Sequence, residues 1–123
     1  MDNYKKNIRC SLDTNQFMKE LVENNLFKDQ KDIFQLGIAI ALKKNLDVNE
    51  DPSIETINKW DTPTVDPDKF FHYAILLKHP KKEDKLYSYM EMLGDVGVRY
   101  IYEKLKSQDY LDLNALNIRD NVP

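Results

Sequence analysis

The chain has 123 residues, of which 41% are hydrophobic and 32% charged, enough for one domain with a modest core and a solvated surface. The net charge of -3 argues against a general nucleic-acid coat, and a single cysteine cannot form an internal disulfide framework. The longest apolar stretch, residues 36–42, is too short to cross a membrane. The first ten residues contain no apolar run typical of a signal peptide. We therefore expect a cytoplasmic protein without a membrane partner.

The first predicted element is a strand within the segment KKNIRCSL, residues 5–12. One side of this segment carries Ile8, Cys10 and Leu12, and the other carries Asn7, Arg9 and Ser11. This alternation has the period of two that is typical of a half-buried strand. Because no second strand is predicted nearby, its partner must lie elsewhere in this chain or in another copy.

Two helices are predicted after the strand. Asp13, with Gln16 three residues later, is typical of a capping box, and the first helix should end near Asn24. Asp29 is a predicted N-cap for a second helix, which runs to about Lys44. The second helix is apolar nearly all round, which predicts burial on most of its sides.

The remaining segments divide into a loop and a helical region. Residues 47–66 are rich in proline and acids, which predicts a loop or linker with one helical turn at 53–59. Asp66 and Pro67 favour the start of a helix that ends before Pro80. Further helices are predicted over about 83–93 and 98–106, with Gly94 and Gly97 as the break between them. The apolar residues of the tail from position 110 are predicted to dock as a short helix or to bind a partner.

These elements predict a mainly α protein with three parts that form one compact domain. Residues 1–46 are the strand–helix–helix unit, 47–66 the loop or linker, and 67–123 a helical region that packs on the unit. We expect Phe34, Ile38, Phe71 and Leu105 to be buried, because each lies on an apolar helical face. The unpaired strand and the apolar second helix together predict a homo-oligomer, most simply a dimer.

The order of strand, capped helix, short turn and apolar helix resembles the ribbon–helix–helix fold of DNA-binding proteins. In that family, strands from two chains pair antiparallel and enter the major groove of double-stranded DNA. The resemblance implies that Asn7, Arg9 and Ser11 face base edges, with Lys5 at the rim of the ribbon. It also implies a phosphate contact at the start of the second helix, near Lys28 and Lys31.

The charge distribution and the strand itself leave other interpretations open. Residues 1–46 hold eight basic and six acidic residues, whereas residues 47–123 hold ten basic and fifteen acidic residues. An outward polar face is also typical of a purely structural or dimer-forming strand. Arg9 could pair with a nearby acid such as Asp13, and Asp29 and Asp32 beside the phosphate position would disfavour an anion.

A second resemblance covers roughly residues 26–106. The segments LFKDQKDIFQLGIAIALKKN, INKWDTP, FFHYAILLK and MEMLGDVGVRYIYEKLK are similar to the Dnd-system-associated protein 4 family, which is linked to bacterial DNA phosphorothioation. This resemblance implies a non-catalytic accessory or regulator of a DNA-modification or anti-phage defence system. Such a protein would act on or near DNA, and other defence-system proteins are possible partners.

Residues with catalytic or metal-binding potential do not form a recognisable motif. Asp68 and His72 are one helical turn apart, but a third metal ligand with suitable spacing is lacking. Cys10 lies on the predicted inner strand face without a nearby histidine, so we expect a small buried apolar residue. The sequence therefore predicts a protein that is not an enzyme and needs no cofactor. Two main hypotheses remain: a DNA-binding accessory, or a protein–protein adaptor without direct DNA contact. A third and weaker hypothesis is a subunit of an enzyme.

Overall fold

The computed structural model describes residues 6–108, which form a mainly helical fold with one small sheet. In chain order the elements are β1 (Asn7–Ser11), α1 (Leu12–Glu23), α2 (Gln30–Lys44), β2 (Thr56–Asp61), α3 (Thr62–Val65), α4 (Phe70–Lys78), a 3-10 helix (Pro80–Lys85) and α5 (Leu86–Ser107). The predicted mainly α class and the initial strand–helix–helix order are confirmed. The tail from position 110 and Lys5 lie outside the described residues.

The predicted strand is confirmed as β1, and its partner is β2 of the same chain. The two strands are antiparallel, with Asn7 opposite Asp61 and Ser11 opposite Thr56. An irregularity between Ile8 and Arg9 makes the register skip Lys59. The sequence predicted a loop here with a helical turn at 53–59, and that part of the prediction is wrong. Pairing within the chain also removes the unpaired strand as a reason to expect a dimer.

The longest helix, α5, crosses α2 at glycine residues and forms the most extensive contact between helices. The sequence predicted a break at Gly94 and Gly97, but α5 continues through both. A methyl group built on Gly97 would lie 2.5 Å from Cα of Gly37, and even nearer to the Gly37 carbonyl. The glycines therefore serve close helix packing, and this packing offsets their intrinsic cost of about 1 kcal/mol each in a helix.

The start of α4 differs from its prediction by about one turn. The helix begins at Phe70 rather than at Pro67, and Lys69 adopts a left-handed conformation with φ 57°. The carboxylate of Asp66 nevertheless accepts the backbone N–H groups of Phe71, at 2.9 Å, and His72, at 3.0 Å. Asp66 thus holds the first turn of α4, as expected of an acid at a helix N-terminus.

The core lies where α2 and α5 meet, beneath the sheet. Phe34 and Ile38 are fully buried as predicted, whereas Phe71 and Leu105 pack on the edge of the core and are half-buried. The expectation that α2 is buried on most sides holds only in part, because Leu36 and Ala39 are exposed. Between residues 6 and 108, no helix combines the length and apolarity required to cross a membrane.

Candidate functional site

The outward face of the two-stranded ribbon is the interface that the sequence predicted for DNA. Asn7 and Arg9 are exposed on β1, as expected. The exposed residues of β2 are Thr56, Asn58 and Asp61. The ribbon therefore carries two asparagines, a threonine and one arginine on its exposed surface, with Asp61 opposite Asn7. This face is polar, but it is not strongly basic.

Ser11 does not belong to the exposed face, and its predicted outward position is wrong. The residue is only 9% exposed. Its hydroxyl accepts the backbone N–H of Thr14 at 3.1 Å and donates to the Thr14 hydroxyl at 2.9 Å. Because β1 leads into α1 without an intervening turn, Ser11 is both the last strand residue and the N-cap of the helix. The sequence had assigned that cap to Asp13.

The edge of β1 that faces away from β2 is bonded to side chains of α5. Glu91 accepts the backbone N–H of Arg9 at 2.6 Å, and Asp95, one turn later, accepts that of Ser11 at 3.0 Å. Two carboxylates thus occupy the donors that an additional strand would need. Strand pairing between two chains, which the ribbon–helix–helix resemblance implies, would have to break both hydrogen bonds.

Arg9 makes its ion pair with Glu91 rather than with Asp13. Its Nε lies 3.8 Å from Oε2 of Glu91, and the side chain remains 48% exposed. Asp13 instead lies 3.3 Å from the Nη2 of Arg99. The Asp13–Arg99 pair is exposed on both sides, and pairs of that kind contribute at most about 1 kcal/mol to stability. The Arg9 pair differs, because its acid, Glu91, is buried and only the guanidinium reaches solvent at the edge of the ribbon.

The predicted phosphate position at the start of α2 is bordered by acids. Asp29 caps the helix, as predicted, and its carboxylate accepts the N–H of Asp32 at 3.0 Å. Lys28 is exposed and Lys31 half-buried. Lys59 of β2 donates to Gln30 at 2.7 Å, which places this end of α2 beside the ribbon. One aspartate at the N-cap and one in the first turn oppose the binding of an anion there.

Burial changes the acidity of two groups beneath β1. Desolvation, with a smaller contribution from the charge of Asp95, raises the pKa of Cys10 to about 12, so the thiol is a buried apolar group as predicted. Desolvation also raises the pKa of Asp95, although the N–H of Ser11, the Thr14 hydroxyl and Arg99 oppose the shift. Within residues 6–108, no group of three or more His, Cys, Asp or Glu side chains could hold a metal ion.

A cleft of about 530 Å³ lies between α5, the start of α1 and the segment before β2. Its apolar lining includes Leu12, Ile54 and Met92, and the ion-paired side chains of Asp13 and Arg99 also line it. Several polar groups at the cleft are used within the fold: Asp95 accepts the N–H of Ser11, and Asp13 pairs with Arg99. The cleft gives no indication of the chemistry of a ligand.

An exposed apolar stripe on α4 is the feature that sequence reasoning missed. Phe70, Tyr73 and Leu77 are 70%, 56% and 87% exposed, and they follow one another at spacings of three and four residues. Such spacing places them on one face of the helix. In the sequence, Phe70 and Leu77 belong to the apolar pattern that predicts this helix, and nothing in that pattern marks them as exposed. The segment FFHYAILLK has more apolar residues than one buried helical face can hold, and this excess indicates that some of them are exposed.

Comparison with protein-family models, with curated proteins and with solved structures finds no match to this chain. The resemblance to the Dnd-system-associated protein 4 family therefore stays a prediction.

Proposed function

We propose that this protein is a non-catalytic interaction subunit that docks on protein through the exposed face of α4. The observation that carries the proposal is the stripe of Phe70, Tyr73 and Leu77, three large apolar side chains on one face of a short helix. Single exposed apolar residues are common on soluble proteins, but contiguous apolar patches mark interaction sites. Aromatic side chains are also enriched at the centres of protein interfaces.

The packing of α4 supports this proposal because it fixes the stripe in place. Asp66 holds the first turn through the N–H groups of Phe71 and His72, and Ile75 is fully buried on the opposite side. At the other end, the Nζ of Lys78 donates to the carbonyl oxygen of Leu42 in α2. A helix held at both ends loses little conformational freedom when its exposed face is covered.

The electrostatics of the ribbon favour protein over DNA as the partner. Glu91 lies beside Arg9, Asp61 lies opposite Asn7, and Asp29 caps the helix next to the ribbon. DNA-binding surfaces are strongly basic because affinity depends on the neutralisation of phosphates. The resemblance to the Dnd-associated family suggests that the protein partner belongs to a DNA-modification or anti-phage defence system.

A photo-crosslinking amino acid at position 77 tests the proposal in the native host. We expect a discrete protein adduct at this position, because Leu77 is the most exposed residue of the stripe. A crosslinker at Lys19, which is exposed on α1, is the matched control and should give no such adduct. The adduct at position 77 should also disappear when Tyr73→Glu is added. Absence of a protein adduct at position 77, or equal adducts at both positions, would overturn the proposal.

Binding of double-stranded DNA is the second candidate, and the complete ribbon within one chain favours it. The major groove admits a two-stranded ribbon, and asparagine and arginine are the side chains that read adenine and guanine. If the ribbon reads bases, Arg9→Lys should cost roughly 1–3 kcal/mol at the preferred sequence and less elsewhere. Arg99→Lys is a matched control, since Arg99 is equally exposed and also ion-paired. Lack of duplex binding by the wild-type protein at low salt would reject this candidate.

A further inference from the structure

We infer that the protein docking on the α4 stripe is a second copy of this chain, packed antiparallel about a two-fold axis. This inference rests on the proposed function and names its partner. It requires that the stripe be complementary to itself, that identical charges not meet across the axis, and that enough surface be buried.

The spacing of the stripe meets the first requirement. Phe70 and Leu77 are seven residues apart, and Tyr73 lies next to their midpoint. A two-fold axis through that midpoint places Phe70 of one copy against Leu77 of the other, twice, and brings the two Tyr73 rings together at the centre. Ala74, the next residue, is small, and the same axis places it against Ala74 of the other copy, which permits the helices to approach.

The charges of α4 meet the second requirement. Pairing identical helices can place like charges opposite each other, which disfavours a homodimer. Lys78 is the only charged residue within α4, and its Nζ is bonded to the carbonyl oxygen of Leu42 rather than directed along the stripe. The axis brings Lys78 level with the exposed Lys69 of the other copy, and this like-charge pair keeps the association weak. The antiparallel arrangement also places the positive N-terminal end of each helix dipole beside the negative C-terminal end of the other.

The available area predicts a weak dimer rather than an obligate one. Since an aromatic side chain buries about 150–250 Å², the exposed parts of the three side chains amount to roughly 400 Å² per copy. Two copies would bury roughly 800 Å² before flanking residues are included, close to the lower limit of ~1,000 Å² for a specific interface. Association should therefore depend on concentration.

Sedimentation equilibrium of the purified full chain tests the inference. We expect the wild-type protein to shift from monomer to dimer between ~1 and ~300 µM, a range that covers the dissociation constants of weak complexes. Tyr73→Glu and Tyr73→Lys should each weaken dimerisation by at least tenfold, as an order of magnitude, because each places two like charges at the axis. Tyr73 is 56% exposed, so neither change should disturb folding, which circular dichroism would verify.

The decisive sample is an equimolar mixture of the two variants. If position 73 meets its own copy, glutamate faces lysine in the mixed dimer, and association should return to at least the wild-type level. Leu12→Ser is the matched control, because Leu12 is an exposed leucine on α1 and its replacement should leave association unchanged. Restoration in the mixture cannot result from a general loss of hydrophobicity.

Three results would overturn the inference: a wild-type monomer at every concentration, a dimer that is insensitive to both variants, or a mixture that associates no better than its components. The crosslinking experiment separates such a failure from failure of the proposed function. If the purified chain is monomeric but position 77 crosslinks to a different protein in the host, only the second copy is excluded. If position 77 also gives no protein adduct, both proposals fail.

Discussion

Replacement of Gly97 by alanine tests whether backbone contact between α2 and α5 determines the fold. The added methyl group would lie 2.5 Å from Cα of Gly37, whereas carbon atoms in favourable contact are about 3.5–4.0 Å apart. The helices would therefore have to separate by about 1 Å or more. Because the obstacle is backbone, no change of side-chain rotamer can relieve it.

The expected free-energy change combines two opposing contributions. Overpacking of a core typically costs about 1–3 kcal/mol, and a rigid obstacle places Gly97→Ala at the upper end of that range. Alanine is favoured over glycine within a helix by about 1 kcal/mol, which partly offsets this cost. The free energy of unfolding should therefore fall by about 2 kcal/mol, a large part of the stability of a domain of this size.

Urea denaturation followed by far-ultraviolet circular dichroism measures this change. Gly94→Ala is the informative companion, because its methyl group would lie 2.6 Å from Cε2 of Phe34 and even closer to neighbouring ring atoms. A smaller side chain can remove that obstacle, so Phe34→Leu should reduce the cost of Gly94→Ala while leaving that of Gly97→Ala unchanged. A Gly97→Ala protein as stable as the wild type, or more stable, would refute the reasoning.

Three further predictions concern Asp95, Cys10 and Leu77. The fold raises the pKa of Asp95, so the contribution of this residue to stability falls as pH rises from the pKa of the unfolded state to that of the folded state. Asp95→Asn should remove this fall, and urea titrations of both proteins from acidic to neutral pH would measure it. A difference in stability between the two proteins that stays constant with pH would contradict the prediction. The thiol of Cys10 is fully buried and its pKa is about 12. It should therefore react with an aromatic disulfide reagent only after denaturation, and rapid labelling of the native protein would contradict the fold. In dilute solution, where the chain is monomeric, Leu77→Ser should change the free energy of unfolding by no more than about 0.5 kcal/mol, since an exposed side chain contributes little to the core. A large drop in melting temperature under these conditions would show that α4 is covered by its own chain.

The sequence alone determined the elements that depend on local interactions. The alternation at Ile8 and Cys10 identified β1 and its buried face. Asp29 marked the start of α2, and its end at Lys44 was also predicted. In each case the signal lies within a few residues of the structure that it specifies, as with period-two burial and a side chain that caps a backbone N–H.

Only the tertiary structure decided the features that depend on distant contacts. The segment of β2 lies among prolines and acids, and it becomes a strand because β1 supplies hydrogen bonds and Trp60 packs on Phe34. Gly97 has a low helix propensity, yet it is helical because the packing of α5 on α2 offsets that cost. The backbone at Gly37 approaches too closely for any side chain at this position. The apolar residues of α4 could not reveal which would be exposed, because the side of a helix that is buried depends on where the helix docks. That docking leaves Leu77 exposed to solvent, and with it the surface on which the proposed function depends.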